Sequence, residues 1–256
     1  MSGLLEGKNA VIYGAGGGLG SGVARTFAAE GAHVYLVGRT AAPLEALAAE
    51  LGSAASVAVL DATDEDAVQA HLDGIDGRID VSFNLITRGD VQQIPIVDMS
   101  VDDMLGATVT GLRSNFITAR AAARRMIAQG GGVVLHLNSA SGAGAAPGMG
   151  STGPADAAVE AFMRYLAAET GAAGVRVVGI WTAGVAETLT DEKLRAVAGD
   201  MAPTAEQAVA GIASMSVLKR APHLQDVADT AAFLASDRAA GLTGTMVNVT
   251  SGLVVR

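Results

Sequence analysis

The chain has no cysteine, only three lysines (Lys8, Lys193 and Lys219), one tryptophan and few aromatics overall. Without a thiol there is neither disulfide nor thiolate chemistry, and the chain carries no redox-compartment signal. With so few lysines and a net charge of −9, no basic patch is available to follow a nucleic-acid backbone, so no nucleic-acid partner is expected. No uninterrupted apolar stretch reaches about 18 residues, and no charged segment followed by an apolar run opens the chain. The expectation is a cytoplasmic protein in solution with no membrane partner. Half of the residues are apolar and aromatics make up 4%, so the core must be aliphatic. The 33 glycines suit many tight turns between strands and helices rather than disorder, because hydrophobic periodicity persists throughout.

What is present is organised around Ala10 to Gly22, AVIYGAGGGLGSG. An apolar run meets a glycine-packed turn and then an amphipathic segment, the strand-turn-helix opening of a nucleotide-binding unit. The spacing G-x-G-x-x-G fails, because its third glycine falls on Leu19; G-x-x-x-G-x-G fits at Gly14, Gly18 and Gly20. Glycine is needed where backbone takes positive φ or closely approaches a phosphate, and amides at the helix start, here from Gly16 to Leu19 and Gly20, then face a pyrophosphate. The plain alternative is a tight turn that is merely rich in glycine. Leu19, Val23 and Phe27 recur every four residues and give the helix a sheet-facing stripe, which Gly31 ends. A second strand, His33 to Val37, leads to Gly38-Arg39, about 20 residues past the glycines, where a dinucleotide site reads the ribose. Gly38 leaves room and Arg39 can pair with a 2′-phosphate, which favours NADP(H) over NAD(H); a solvated arginine is the alternative. His33 reads as a surface histidine, and no metal is expected.

Further along, the sequence predicts a helix over Pro43 to Leu51 and a strand from Ser56 to Leu60. A capped helix follows from Thr63 and Asp64 to about Leu72, then a strand over Ile79 to Asn84 and a loop from Thr87 to Met99. Ser100 with Asp103 opens a long helix to about Gln129, and Val133 to Leu137 is the fifth strand. After a small-residue loop come a helix over Thr152 to Thr170 and a strand over Val175 to Trp181. An insertion over Ala183 to Leu218, a helix over Leu224 to Ala235 and a strand over Thr245 to Val249 complete the chain. Strictly alternating elements predict an α/β fold: one Rossmann-like, doubly wound parallel sheet of about seven strands in a single domain, with helices on both faces. Ligands bind such sheets at the carboxyl edge.

Together these segments resemble the short-chain dehydrogenase/reductase superfamily over essentially the whole chain. Gly14, Gly18 and Gly20 match its glycine motif, Asp61 its acid after the third strand, and Asn84 the first asparagine of its N-N-A-G strand end. Ser139 matches its catalytic serine, and Gly184 with Thr188 its P-G-x-x-x-T segment. Val227-Ala228 to Asp237 and Leu242-Thr243-Gly244 match its C-terminal signature. The resemblance implies NAD(P)(H)-linked carbonyl or alcohol chemistry on a small-molecule substrate, a homo-oligomer that is often a tetramer, and an insertion that covers the substrate. Its apolar residues, such as Leu189 and Met201, suggest an apolar lid or a plain helix pair.

The departures are specific. The family's tyrosine position holds Thr152, its lysine position Asp156, and its helix asparagine position Gly111; Asn84 is followed by Leu85-Ile86-Thr87, and Ala183 replaces the proline. The tyrosines of this chain are Tyr13, Tyr35 and Tyr165, and no shift of register restores the motif. A threonine hydroxyl is a far poorer acid than a phenol, and an acid at 156 reverses the sign of the local charge. Asn115, one turn after Gly111, can supply an amide or be an ordinary exposed helix residue. Asp156 can act as a carboxylate base, grip a ribose hydroxyl, or be an acid in the first turn of its helix. Thr152 reads as a helix cap, and His136, inside a strand, as a buried structural histidine. No G-x-S-x-G elbow supports a hydrolase. The leading expectation is a divergent NADP(H)-dependent oxidoreductase acting on a small carbonyl, enone or imine. A non-catalytic nucleotide-binding or partner protein stands second, and a cofactor-independent lyase or cyclase last.

Overall fold

The computed structural model describes residues 3–255. Its seven strands, β1 (Asn9–Tyr13), β2 (His33–Gly38), β3 (Ala55–Val59), β4 (Val81–Asn84), β5 (Gly132–Ser139), β6 (Val175–Thr182) and β7 (Thr245–Val249), form one parallel sheet in the order β3-β2-β1-β4-β5-β6-β7. The helices are α1 (Gly18–Ala29), α2 (Ala41–Leu51), α3 (Glu65–Asp73), α4 (Val101–Gln129), α5 (Thr152–Thr170), α6 (Asp191–Ala198), α7 (Ala205–Met215) and α8 (Leu224–Ala235). The fold is the Rossmann-like doubly wound sheet that the alternation predicts.

Two apolar layers follow from the period-2 geometry of the strands. Ala10 and Ile12 of β1 point into a layer with Val23 and Phe27 of α1, Leu44 of α2 and Leu234 of α8. Val11 and Tyr13 point the other way, toward Val68 and Leu72 of α3, Ile117 and Met126 of α4, and Val159 and Met163 of α5. The sheet is thus buried on both faces, and full burial of each large side chain contributes about 1.5–3 kcal/mol. Among the described residues, no helix is long and apolar enough to cross a membrane.

Local rules set the boundaries. Ser100 accepts a hydrogen bond from the Asp103 amide at the start of α4, and Gly130, at φ +84°, ends it in the left-handed conformation. β4 starts at Val81: the Ile79 amide and carbonyl pair with the Gln129 side chain instead of a neighbouring strand, and Asp80 leads into the ladder by bonding to Asn9 and Val133. β5 and β6 run to Ser139 and Thr182, past their apolar cores, since backbone pairing carries the polar ends. The chain leaves β3 and returns beside β1 as β4, which puts the topological switch point between the ends of β1 and β4. The insertion resolves into α6 and α7, neither of which buries any of its residues.

Candidate functional site

At the switch point lies a cleft of about 390 Å³ lined by Gly14, Gly16 and Gly17 after β1, Gly38, Arg39 and Thr40 after β2, Asp61 and Thr63 after β3, and Leu85 to Thr87 after β4. Gly14 has φ +80°, and a β-carbon on it would stand 2.6 Å from the Leu85 carbonyl oxygen; one on Gly20 would stand 2.2 Å from the Gly14 oxygen. The turn closes only on bare backbone. No side chain caps α1, whose N-cap is Gly17, so the amides of Gly18, Leu19 and Gly20 lack partners within the helix. Thr188 overhangs them: a β-carbon on Gly18 would lie 3.2 Å from its methyl and 3.7 Å from Lys193 Nζ, which donates to the Thr188 carbonyl. Gly184 packs against Leu189 and Ile212 of the insertion.

Of the other residues singled out from sequence here, Arg39 is exposed and has no ion-pair partner among the described residues. Asp61 Oδ1 accepts from the Thr63 amide and hydroxyl, both at 2.8 Å, which lowers its pKa. Asn84 is absorbed into the scaffold. Its amide donates to Thr118 Oγ1 at 3.1 Å and its carbonyl accepts from the Ile86 amide at 3.1 Å.

Beyond Thr87 the cleft wall gives way to a buried polar cluster. Ser139, at the end of β5, donates from Oγ to Asp156 Oδ2 at 2.5 Å, and Arg88 Nη1 donates to Asp156 Oδ1 at 2.7 Å. Arg88 also holds Asp90 through Nη2 at 2.8 Å and Nε at 3.4 Å. The Asp156 side chain is wholly buried. Burial lifts its carboxyl to about 6, against the opposing pull of the Arg88 guanidinium and the Ser139 hydroxyl. Asn138 fixes the helix backbone by donating to the Asp156 carbonyl at 3.1 Å.

Several sequence expectations are corrected. Asp156 is the fifth residue of α5, not an acid of its first turn, and both its oxygens are taken inside the protein, so it does not reach out to grip a ribose. Thr152 is the first residue of the helix rather than its cap; it is buried, and its hydroxyl accepts from Gln92 Nε2 at 3.1 Å. Asn115 is 8% exposed rather than a surface residue. Its amide donates to the Gly111 carbonyl at 2.9 Å, while its Oδ1 is buried without a partner among the described residues. His136 is buried, as expected, and held neutral: burial, helped by Arg164, lowers its pKa to about 3.

Sequence reasoning missed Arg88 and Lys193. A signal for Arg88 existed: an acid at 156 demands a buried counter-cation, and a missing side chain at 111 leaves space for one. A β-carbon on Gly111 would lie 2.5 Å from Arg88 Cδ. Tyr13 is buried in β1 and Tyr165 lies in the open, and no tyrosine hydroxyl joins the cluster.

The family model described as enoyl-(acyl carrier protein) reductase matches residues 14–254. The 3-oxoacyl-(acyl-carrier-protein) reductase FabG of Haemophilus influenzae is 30% identical, covering 97% of this chain and 99% of that protein. The galactitol 2-dehydrogenase (L-tagatose-forming) of Cereibacter sphaeroides is 31% identical over 98% of this chain and 96% of its own. Among solved structures, a 7α-hydroxysteroid dehydrogenase complexed with NADH and 7-oxo glycochenodeoxycholic acid superposes with a TM-score of 0.82 at 27% identity, over 98% of this chain and 96% of that one.

Proposed function

The chain belongs to the short-chain dehydrogenase/reductase superfamily, and from that premise we propose that it is an NADP(H)-dependent oxidoreductase of small carbonyl, enone or imine substrates. Its proton is held by Asp156 and delivered through Ser139. The observation that carries this reading is the 2.5 Å hydrogen bond between those two residues at the carboxyl edge of the sheet, beside an open glycine-lined cleft.

The residues present fit such a cofactor. Unclaimed amides at Gly18, Leu19 and Gly20 suit a diphosphate, with Thr188 and the Lys193 ammonium above them. Arg39 is exposed for a 2′-phosphate, and the acid that shares its cleft, Asp61, is held by Thr63. When bound, the nicotinamide supplies or accepts the hydride. The chain's own task is the proton. As the substrate oxygen takes the Ser139 proton, Ser139 Oγ recovers one from the Asp156 carboxyl, which is left as a carboxylate; alcohol oxidation runs the same transfers backward. A carboxyl titrating near 6 can serve in either direction close to neutral pH. Thr152 is fixed by Gln92, and Asn115 keeps a buried carbonyl acceptor without a partner among the described residues.

The insertion, with no buried helix residue and with Met201 and Met215 exposed, is proposed to cover the substrate. The exposed Leu105, Val109 and Phe116 of α4 support a homo-oligomer, with a tetramer as the expected order. Purified protein should change NADPH fluorescence at sub-millimolar cofactor, and should oxidise NADPH with a member of a carbonyl and imine panel. No fluorescence change overturns the reading; binding with no turnover would favour the non-catalytic alternative.

A further inference from the structure

We propose that Arg88 is the positioning residue of this site: brought in by the segment after β4 and admitted by the missing side chain at Gly111, it holds Asp156 so that one carboxylate oxygen is occupied and the other faces Ser139. The inference rests on the proton role given above to Asp156 and Ser139, but its test does not depend on turnover.

The geometry is built rather than incidental. Arg88 is nearly buried, and its planar fork is shared between two acids from different segments. The segment that carries it is stitched to the start of α5. Ser151 Oγ accepts from the Val91 amide at 2.8 Å and donates to the Val91 carbonyl at 2.9 Å, Gln92 donates to Thr152, and the Gln93 amide donates to the Gly148 carbonyl at 2.7 Å. Gln93 takes φ +67°, an unusual conformation for a residue with a side chain, to make that turn. Gly111 supplies the room, since any side chain there would displace the arginine stem.

The charges give the arrangement a function. With both acids ionised, Arg88, Asp90 and Asp156 carry one net negative charge in a buried place; a proton on Asp156 removes it. Arg88 therefore limits how far burial raises the Asp156 carboxyl, and Asp90 opposes it. The other groups around Asp156 are accounted for. β5 contributes the neutral Ser139, and Glu160, one turn along α5, accepts from Trp181 Nε1.

Carboxyl-observed ¹³C NMR of aspartate-labelled protein, with Asp156→Asn assigning the signal, tests this without cofactor or substrate. Arg88→Gln should raise the Asp156 midpoint by roughly one to three pH units, and Asp90→Asn should lower it. Arg88→Lys should recover part of the shift, because charge returns without the fork. Gly111→Ala, which keeps every charged group, should shift the midpoint in the same direction as Arg88→Gln. A purely structural role predicts no such opposed pair of shifts. An Asp156 midpoint unchanged in Arg88→Gln or in Gly111→Ala overturns the inference; if NADPH binding also fails in the unsubstituted protein, the proposed function falls separately.

Discussion

Ser139 and Asp156, 17 residues apart in sequence, meet across the gap between β5 and α5 with oxygen atoms 2.5 Å apart. Such a short hydroxyl–carboxylate contact is charge-assisted, and in the proposed relay it ties the hydroxyl that meets the substrate to the carboxyl that holds the proton. Ser139→Ala should therefore lower kcat by about 10²-fold or more, the scale of general acid–base catalysis, while NADPH binding is retained. Steady-state kinetics alongside fluorescence titration separates the two. Loss of cofactor binding with the hydroxyl would place Ser139 elsewhere in the mechanism.

The pH dependence follows from the Asp156 carboxyl, lifted by burial to about 6. In the proposed relay reduction uses the protonated form, so kcat in that direction should fall as pH rises through about 6, and oxidation should rise over the same interval. Stability runs with the proton. The folded state holds it more tightly than the unfolded chain does, so stability is greatest below about pH 4, as far as this group is concerned, and falls by roughly 3 kcal/mol as pH climbs to about 6. Asp156→Asn should flatten that slope in urea unfolding. An unchanged slope would show that Asp156 is not the group responsible.

Arg39→Ala should weaken NADPH binding by about 10- to 100-fold, the equivalent of about 1.5–3 kcal/mol for hydrogen bonds to a charged group, and leave NADH nearly unaffected. Equal losses for both cofactors would mean that Arg39 does not read the 2′-phosphate.

Gly14→Ala carries two penalties, a positive φ and a β-carbon 2.6 Å from the Leu85 carbonyl oxygen. The conformation alone costs about 1–2 kcal/mol. Thermal unfolding should show a destabilisation at least that large, and NADPH binding should vanish. A stable variant that still binds would mean the turn is not held as described.

Most of the scaffold was legible because strands and helices announce themselves through periods of 2 and 3.6. The helix Leu224–Ala235 and the strand Thr245–Val249 stand where their patterns put them. The glycine turn was legible for a steric reason, since few other sequences close it. Arg88 was not, because it sits in a segment with no period, and its position depends on space left by Gly111, 23 residues later. The helical pattern puts Thr152 and Asp156 on α5, but their surroundings come from residues 88–92, which fold back onto α5 by contacts that no local pattern encodes. The insertion gave only a weak signal, because neither of its helices has a buried face.

The Arg88–Asp156 pair also constrains anyone who would redesign this pocket. Installing Lys at 156 alone would set an ammonium against a guanidinium, and removing Arg88 alone would strand an acid in the interior. A tyrosine–lysine version therefore requires positions 88 and 156 to change together, because either replacement made alone leaves a buried charge without its partner.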